Sequence, residues 1–211
     1  MEQVETEGRT ARKRRAILAA ATTAFLQHGY LGASMDEVAA NAGVSKQTVY
    51  KQFENKERLF AEIVLGTSDQ LMDGLLQAYV DTLDGAADAR EALRALARRL
   101  LQSLTADSVL QLRRLVIAEA DRFPEVCGAW FNQGFEQSLD ALGEALTRLS
   151  DRGLLKQLDD PTLAAYQFAG LVMYKPMNRA MFAGTRQRPK PGELEKLADQ
   201  AAEVFLAAYG V

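Results

Sequence analysis

The segment from Ser45 to Lys56 gathers residue types that suit a nucleic acid. Lys46, Thr48, Tyr50 and Lys56 each carry a donor for a phosphate oxygen, and Gln47 and Lys51 are long enough to reach base edges in a groove. Gln47 is the best base reader of the set. Ser45 joins these donors and is also placed to cap the helix that would carry them. Upstream, the basic run Arg12 to Arg15 offers Arg12 and Arg14 as contacts to the backbone or minor groove from an N-terminal arm. The plain alternative is that these are solvated polar residues of a small helical domain with a basic tail.

Other chemistry is poorly supplied. The chain has one histidine, His28, and one cysteine, Cys127, about 100 residues apart, so no base is at hand for a nucleophile. No glycine-rich phosphate loop and no metal-ligand cluster is visible, and a single cysteine excludes an intramolecular disulfide. Asp159 and Asp160 stand immediately before Pro161 and read as a helix start. No catalytic residue, metal or cofactor is expected.

Charge supports the nucleic-acid reading through its placement. The net charge is −3, which argues against unspecific coating of nucleic acid. Between Arg9 and Arg58, however, nine Lys and Arg face four acids, a balance of +5, whereas residues 59 to 211 balance at −5. A basic N-terminal module on an acidic body gathers cations where phosphates are to be met.

The elements needed to hold these side chains are legible from their boundaries. Ile17, Ala21, Ala24 and Phe25 form the inner stripe of a first helix that Gly29 can end in a left-handed cap. Ser34 with Glu37 is a capping box for a short helix to about Ala42, closed by Gly43. Ser45 then caps a second short helix with Val49 and Phe53 on its inner face, and Asn55 caps a fourth carrying Leu59, Phe60 and Ile63. Two short helices joined by a tight glycine-containing turn describe a helix-turn-helix, whose second helix enters the major groove.

Beyond residue 66 the periodicity predicts helices over about 67–83, 88–104, 108–121, 124–151, 161–183 and 193–209, with a loop from Gly184 to Gly192. No alternating run makes a convincing strand. The expected fold class is all-α with about nine helices: a flexible arm over 1–10, a helix-turn-helix DNA-binding domain over 11–58, and a helical ligand-binding and dimerisation domain over 59–211. No stretch approaches the roughly 20 apolar residues of a membrane span, and no signal peptide is seen, so a cytoplasmic protein is expected.

The run AILAAATTAFLQHGYLGASMDEVAANAGVSKQTVYKQFENKERLF closely resembles the DNA-binding domain of the TetR family. Its most specific part is Ala39, Ala42, Gly43, Val44, Ser45, Lys46, Thr48, Tyr50, Phe53, Lys56 and Leu59. The resemblance implies a dimer whose two recognition helices read successive major grooves of a near-palindromic operator. It also implies a C-terminal domain in which a bound small molecule changes their separation. The segment RLVIAEADRFPEVCGAWFNQG, residues 114–134, is similar to a helix junction of the multidrug-efflux-regulator branch. Repression is the family's usual mode; nothing in the residues separates repressor from activator.

For an effector pocket the best material is Trp130, Phe131 and Phe135 on one helix with Met173, Tyr174 and Met177 on another, completed by Met72, Tyr79 and Leu112. Pro176 is expected to kink the second of these helices. The same residues would serve equally as core. They suggest a hydrophobic or planar effector, cationic if the rings of Trp130 and Tyr174 and the acids Glu119 and Asp121 take part. For dimerisation, Leu194, Leu197, Ala201, Val204, Phe205 and Ala208 recur at helical spacing, with Tyr166, Gly170 and Phe182 joining from the preceding helix. In a monomer that stripe would pack internally.

Overall fold

The computed structural model describes residues 8–183 and 191–211. The helices are α1 (Arg9–Gly32), α2 (Met35–Asn41), α3 (Lys46–Phe53), α4 (Lys56–Tyr79), α5 (Ala89–Leu104), α6 (Asp107–Glu119), α7 (Pro124–Trp130), α8 (Gln137–Asp151), α9 (Pro161–Ala183) and α10 (Pro191–Tyr209). A π-helical turn, Val80–Asp84, prolongs α4, and another, Phe131–Glu136, joins α7 to α8. Nine helical runs result among the described residues, the first of them kinked at Gly29, whose φ of 67° and ψ of 177° are not helical, with one isolated bridge between Leu155 and Gly210 in place of any sheet. The fold is all-α. Most of the expected arm, and the loop from Gly184 almost to Gly192, lie outside the described residues.

Two differences from the periodicity are instructive. The expected separation of a fourth helix carrying Leu59, Phe60 and Ile63 from one starting at about residue 67 is absent, because α4 runs through Gly66. Buried Phe60, Val64, Ser68, Leu75 and Tyr79 keep a helical spacing across that glycine, and the Thr67 hydroxyl donates back to the Ile63 carbonyl at 2.7 Å. At the N-terminus α1 is helical from Arg9, so Arg12 and Arg14 stand on a helix and not on an arm.

Packing divides the chain into two compact units: Met1–Thr67 with Leu115–Gly128, and Ser68–Arg114 with Ala129–Val211. In the first, Ile17, Ala21, Phe25, Val38, Val49, Phe53, Leu59 and Phe60 are almost wholly buried. Phe123 contributes a ring to this unit, 4.7 Å from Tyr30 and 5.0 Å from Phe60 between centroids, and Phe25 meets Phe60 edge-on at 5.7 Å. Such pairs stabilise by about 0.5–1.5 kcal/mol each beyond their burial.

The second unit is a bundle in which α8 packs on α9, α5 on α10 and α9 on α10. Helix α5 shows why: Ala89, Ala92, Leu93, Leu96, Ala97, Leu100 and Leu101 recur at three and four residues and are all buried. Alanines 164, 165, 198, 201 and 202 face the same core and let the helix axes approach. Outside it, Arg98 grips Asp199 with two bonds of 2.8 and 2.7 Å, tying α5 to α10.

Candidate nucleic-acid interface and internal cavity

The donors singled out in the sequence lie on α3, and the local folding explains their presentation. Ser34 accepts from the Glu37 amide at 3.1 Å to start α2, and Gly43, at φ +64°, turns the chain out of it. Ser45 then accepts from the Thr48 amide at 3.2 Å to start α3. Val49 and Phe53 are buried, which leaves Lys46, Gln47, Tyr50 and Lys51 exposed on the opposite arc. The helix ends at Glu54, whose φ of 60° and ψ of −54° accompany a tight bond from the Asn55 amide to the Phe53 carbonyl, 2.6 Å. Asn55 Oδ1 accepts from the Arg58 amide at 2.8 Å and starts α4.

Several of the nominated donors already have partners within the chain. Lys46 Nζ lies 2.7 Å from Asp36 Oδ1, a bond that raises the lysine's pKa. Ser45 and Thr48 share their hydroxyls at 2.8 Å, so both serve the cap first. Lys56 is turned inward: its ammonium sits 4.6 Å over the Tyr30 ring and donates to the Leu31 carbonyl at 3.4 Å, and burial lowers its pKa. Arg14 pairs with Glu62 and lies over the Phe53 ring at 4.6 Å. Arg12 is exposed. His28 meets Glu37 at 3.2 Å, a surface contact near the end of α1. Lys56 and Arg14 are thus built into the unit that presents α3.

Within the second unit a cavity of about 300 Å³ opens among α4, α5, α6, the end of α7, α8, α9 and the turn Phe131–Glu136. Of the nine residues nominated for a pocket, Tyr79, Trp130, Phe135, Met173, Tyr174 and Met177 line it. Met72, Leu112 and Phe131 do not. Leu112 is spent on packing, and Phe131 is 46% exposed and stacks on Phe135 from outside. Helix α9 passes through Pro176 without ending. Burial pushes the Tyr79 hydroxyl up to about 12, against an opposing hydrogen bond with Ser138.

The polar groups of the cavity are the ones sequence reasoning missed: Ser68, Arg113, Ser138 and Asn178. Ser68 is 1% exposed and Trp130 7%, and neither the serine Oγ nor the indole Nε1 has a hydrogen-bond partner among the described residues. Arg113 lies over the Trp130 ring at 5.4 Å and its Nε is likewise unpartnered. The available signal was its spacing, since Arg113 stands three residues from both Leu110 and Val116, each 4% exposed. A cationic effector held by the acids Glu119 and Asp121 is corrected here. Neither lines the cavity, the lining contains no Asp or Glu, and a cation of the chain itself already covers the Trp130 ring.

The nominated dimer residues separate into two groups. Ala201 and Phe205 are 4% and 1% exposed, part of the bundle's own core, because the stripe on α10 turns inward against α5 and α9. Val204 is 56% exposed, Phe182 87% and Tyr166 38%, with Leu197 half-buried. Gly170, Tyr174 and Val204 line a shallow groove between α9 and α10, and Gly170, Tyr166 and Tyr174 also border the cavity.

Residues 91–211 match the family of AefR-like transcriptional repressors in its C-terminal domain, and residues 17–63 match the bacterial regulatory proteins of the tetR family. The chain belongs to the TetR family. A TetR-family transcriptional regulator from Mesorhizobium loti superimposes with a TM-score of 0.91 at 47% identity, over 97% of this chain and 100% of that one. SmeT in complex with triclosan gives 0.70 at 26% identity, over 94% and 92%; it is the repressor of a Stenotrophomonas maltophilia multidrug efflux pump. The transcriptional activator FasR of Mycolicibacterium smegmatis is 37% identical over 83 residues, which span 39% of this chain and 38% of FasR. TetR proteins are DNA-binding transcriptional regulators, not enzymes, and among the described residues no helix is long and apolar enough to cross a membrane.

Proposed function

We propose that this TetR-family regulator is a cytoplasmic repressor that binds a near-palindromic operator as a homodimer and is released by a small hydrophobic or planar effector. The observation that carries the reading is the pairing of an exposed donor face on α3 with a partly open, mostly apolar cavity in the second unit. SmeT, a repressor with triclosan bound, supports the combination. In this reading Gln47 and Lys51 read bases, Lys46 and Tyr50 hold phosphate, and Arg12 adds a backbone contact. The exposed Tyr166, Leu171, Phe182 and Val204 belong to the dimer seat. Tyr174 and Gly170 border both groove and cavity, a route by which an occupant would alter the dimer.

The test is fluorescence anisotropy of the purified protein on its own upstream intergenic DNA, at two salt concentrations and against scrambled competitor. The expected result is specific binding with a steep salt slope. Light scattering at micromolar concentration should give the mass of a dimer; a monomer would count against the proposal. The likeness to FasR favours activation as the second reading. Run-off transcription from the bound promoter distinguishes the two: a fall in transcript supports repression and a rise supports activation.

A further inference from the structure

Three hydrogen-bond donors border the cavity, and none of them has a partner among the described residues. The Ser68 hydroxyl, the Trp130 indole N–H and the Arg113 Nε–H are buried without partners, and Arg113 makes no ion pair among the described residues. Its neighbour Arg114 differs, since that guanidinium donates to the Ala180 carbonyl. The Arg113 guanidinium is half-buried with the Trp130 ring beside it and no carboxylate paired to it among the described residues, and burial draws its pKa below the usual range. The other cavity groups do not answer it. Ser138 donates to the Phe135 carbonyl at 2.7 Å, Asn178 to the Tyr174 carbonyl at 2.7 Å, and Tyr166 to Glu136 at 2.5 Å. Glu136, the acid on the last of these, is outside the lining.

The remaining wall is aromatic and aliphatic. Leu71, Leu75, Leu100, Leu139, Phe135 and Met173 supply it, so an occupant must be largely apolar away from the donors. Gly134 brings the turn Phe131–Glu136 against α4 so closely that an added Cβ would fall 2.5 Å from Ser68 Oγ, which keeps the serine at the cavity edge. Geometry and chemistry together favour a ring-bearing body with a single anionic head.

Building on the effector reading above, we propose that the cavity takes an aromatic organic anion, its carboxylate or phenolate received by Arg113 with Ser68 and Trp130 donating beside it. Arg113 is the selecting residue: it favours the ionised head over a neutral isostere and repels a cation. The apolar wall sets size and the donors set charge.

The experiment is isothermal titration of the full-length protein with three matched probes: 2-naphthoate, 2-naphthamide and a naphthyl-trimethylammonium. The wild-type protein should bind the carboxylate about tenfold or more tightly than the amide, and the cation most weakly. In Arg113→Met that preference should collapse while affinity for the amide stays within about threefold. Arg113→Lys, which keeps the charge, should retain part of the preference and serves if the methionine variant does not fold. Equal affinity of the wild type for carboxylate and amide, or a preference that survives Arg113→Met, would overturn the charge assignment and leave the cavity reading standing. No binding of any probe would overturn both.

Discussion

Lys46 holds two possible loyalties. In the free chain it is paired with Asp36, an exposed acid on α2, so a phosphate at the same ammonium shares it with that carboxylate and is repelled by it. Asp36→Asn should therefore tighten binding to any duplex, specific or scrambled, by a few-fold in anisotropy at low salt; unchanged affinity for both would remove Lys46 from the phosphate contacts. Lys46→Ala should reduce the salt slope by about one, whereas Gln47→Ala should cost about 1–3 kcal/mol on the operator with little change on scrambled DNA. The α3 residues were legible because their presentation is decided within a dozen positions by caps and two buried side chains. Arg113, Lys56 and Arg14 were not, because a cation's fate depends on which distant surface covers it. The flexible stems of Lys56 and Arg14 let them turn onto Tyr30 and Phe53.

At the scale of elements, the turn between α2 and α3 carries the most consequence. Gly43 occupies the left-handed region with open space around a prospective Cβ, so the obstacle to any side chain there is backbone conformation, not crowding. Gly43→Ala should destabilise by about 1 kcal/mol in chemical denaturation, and should weaken operator binding by displacing α3. A variant with wild-type midpoint and affinity would show that the turn relaxes freely. The same local logic made most helices readable, down to Pro124 as the first residue of α7. It separated the helix carrying Ile63 from one starting at about residue 67, where tertiary spacing overrode the weak helix former Gly66, and did not anticipate the two π turns, which leave no mark in a hydrophobic pattern. The inward rotation of Ala201 and Phe205 was equally hidden, because a stripe at helical spacing does not say which partner it meets.

On the scale of the molecule, the first compact unit is not one stretch of chain. Phe123, from residues 115–128, closes the aromatic group of Tyr30, Phe25 and Phe60. Phe123→Ala should lower stability by about 2–3 kcal/mol and reduce operator affinity in parallel, although the residue lies some 70 positions from α3. Retention of both would mean that the first 67 residues are self-sufficient. The arrangement also constrains how such proteins exchange parts. A chimera that grafts residues 1–67 onto another body inherits an uncovered aromatic face unless that body offers a ring where Phe123 stood. Recombination that preserves the DNA reader must therefore carry two inherited segments from different places in the gene, or find a recipient that already encodes the second.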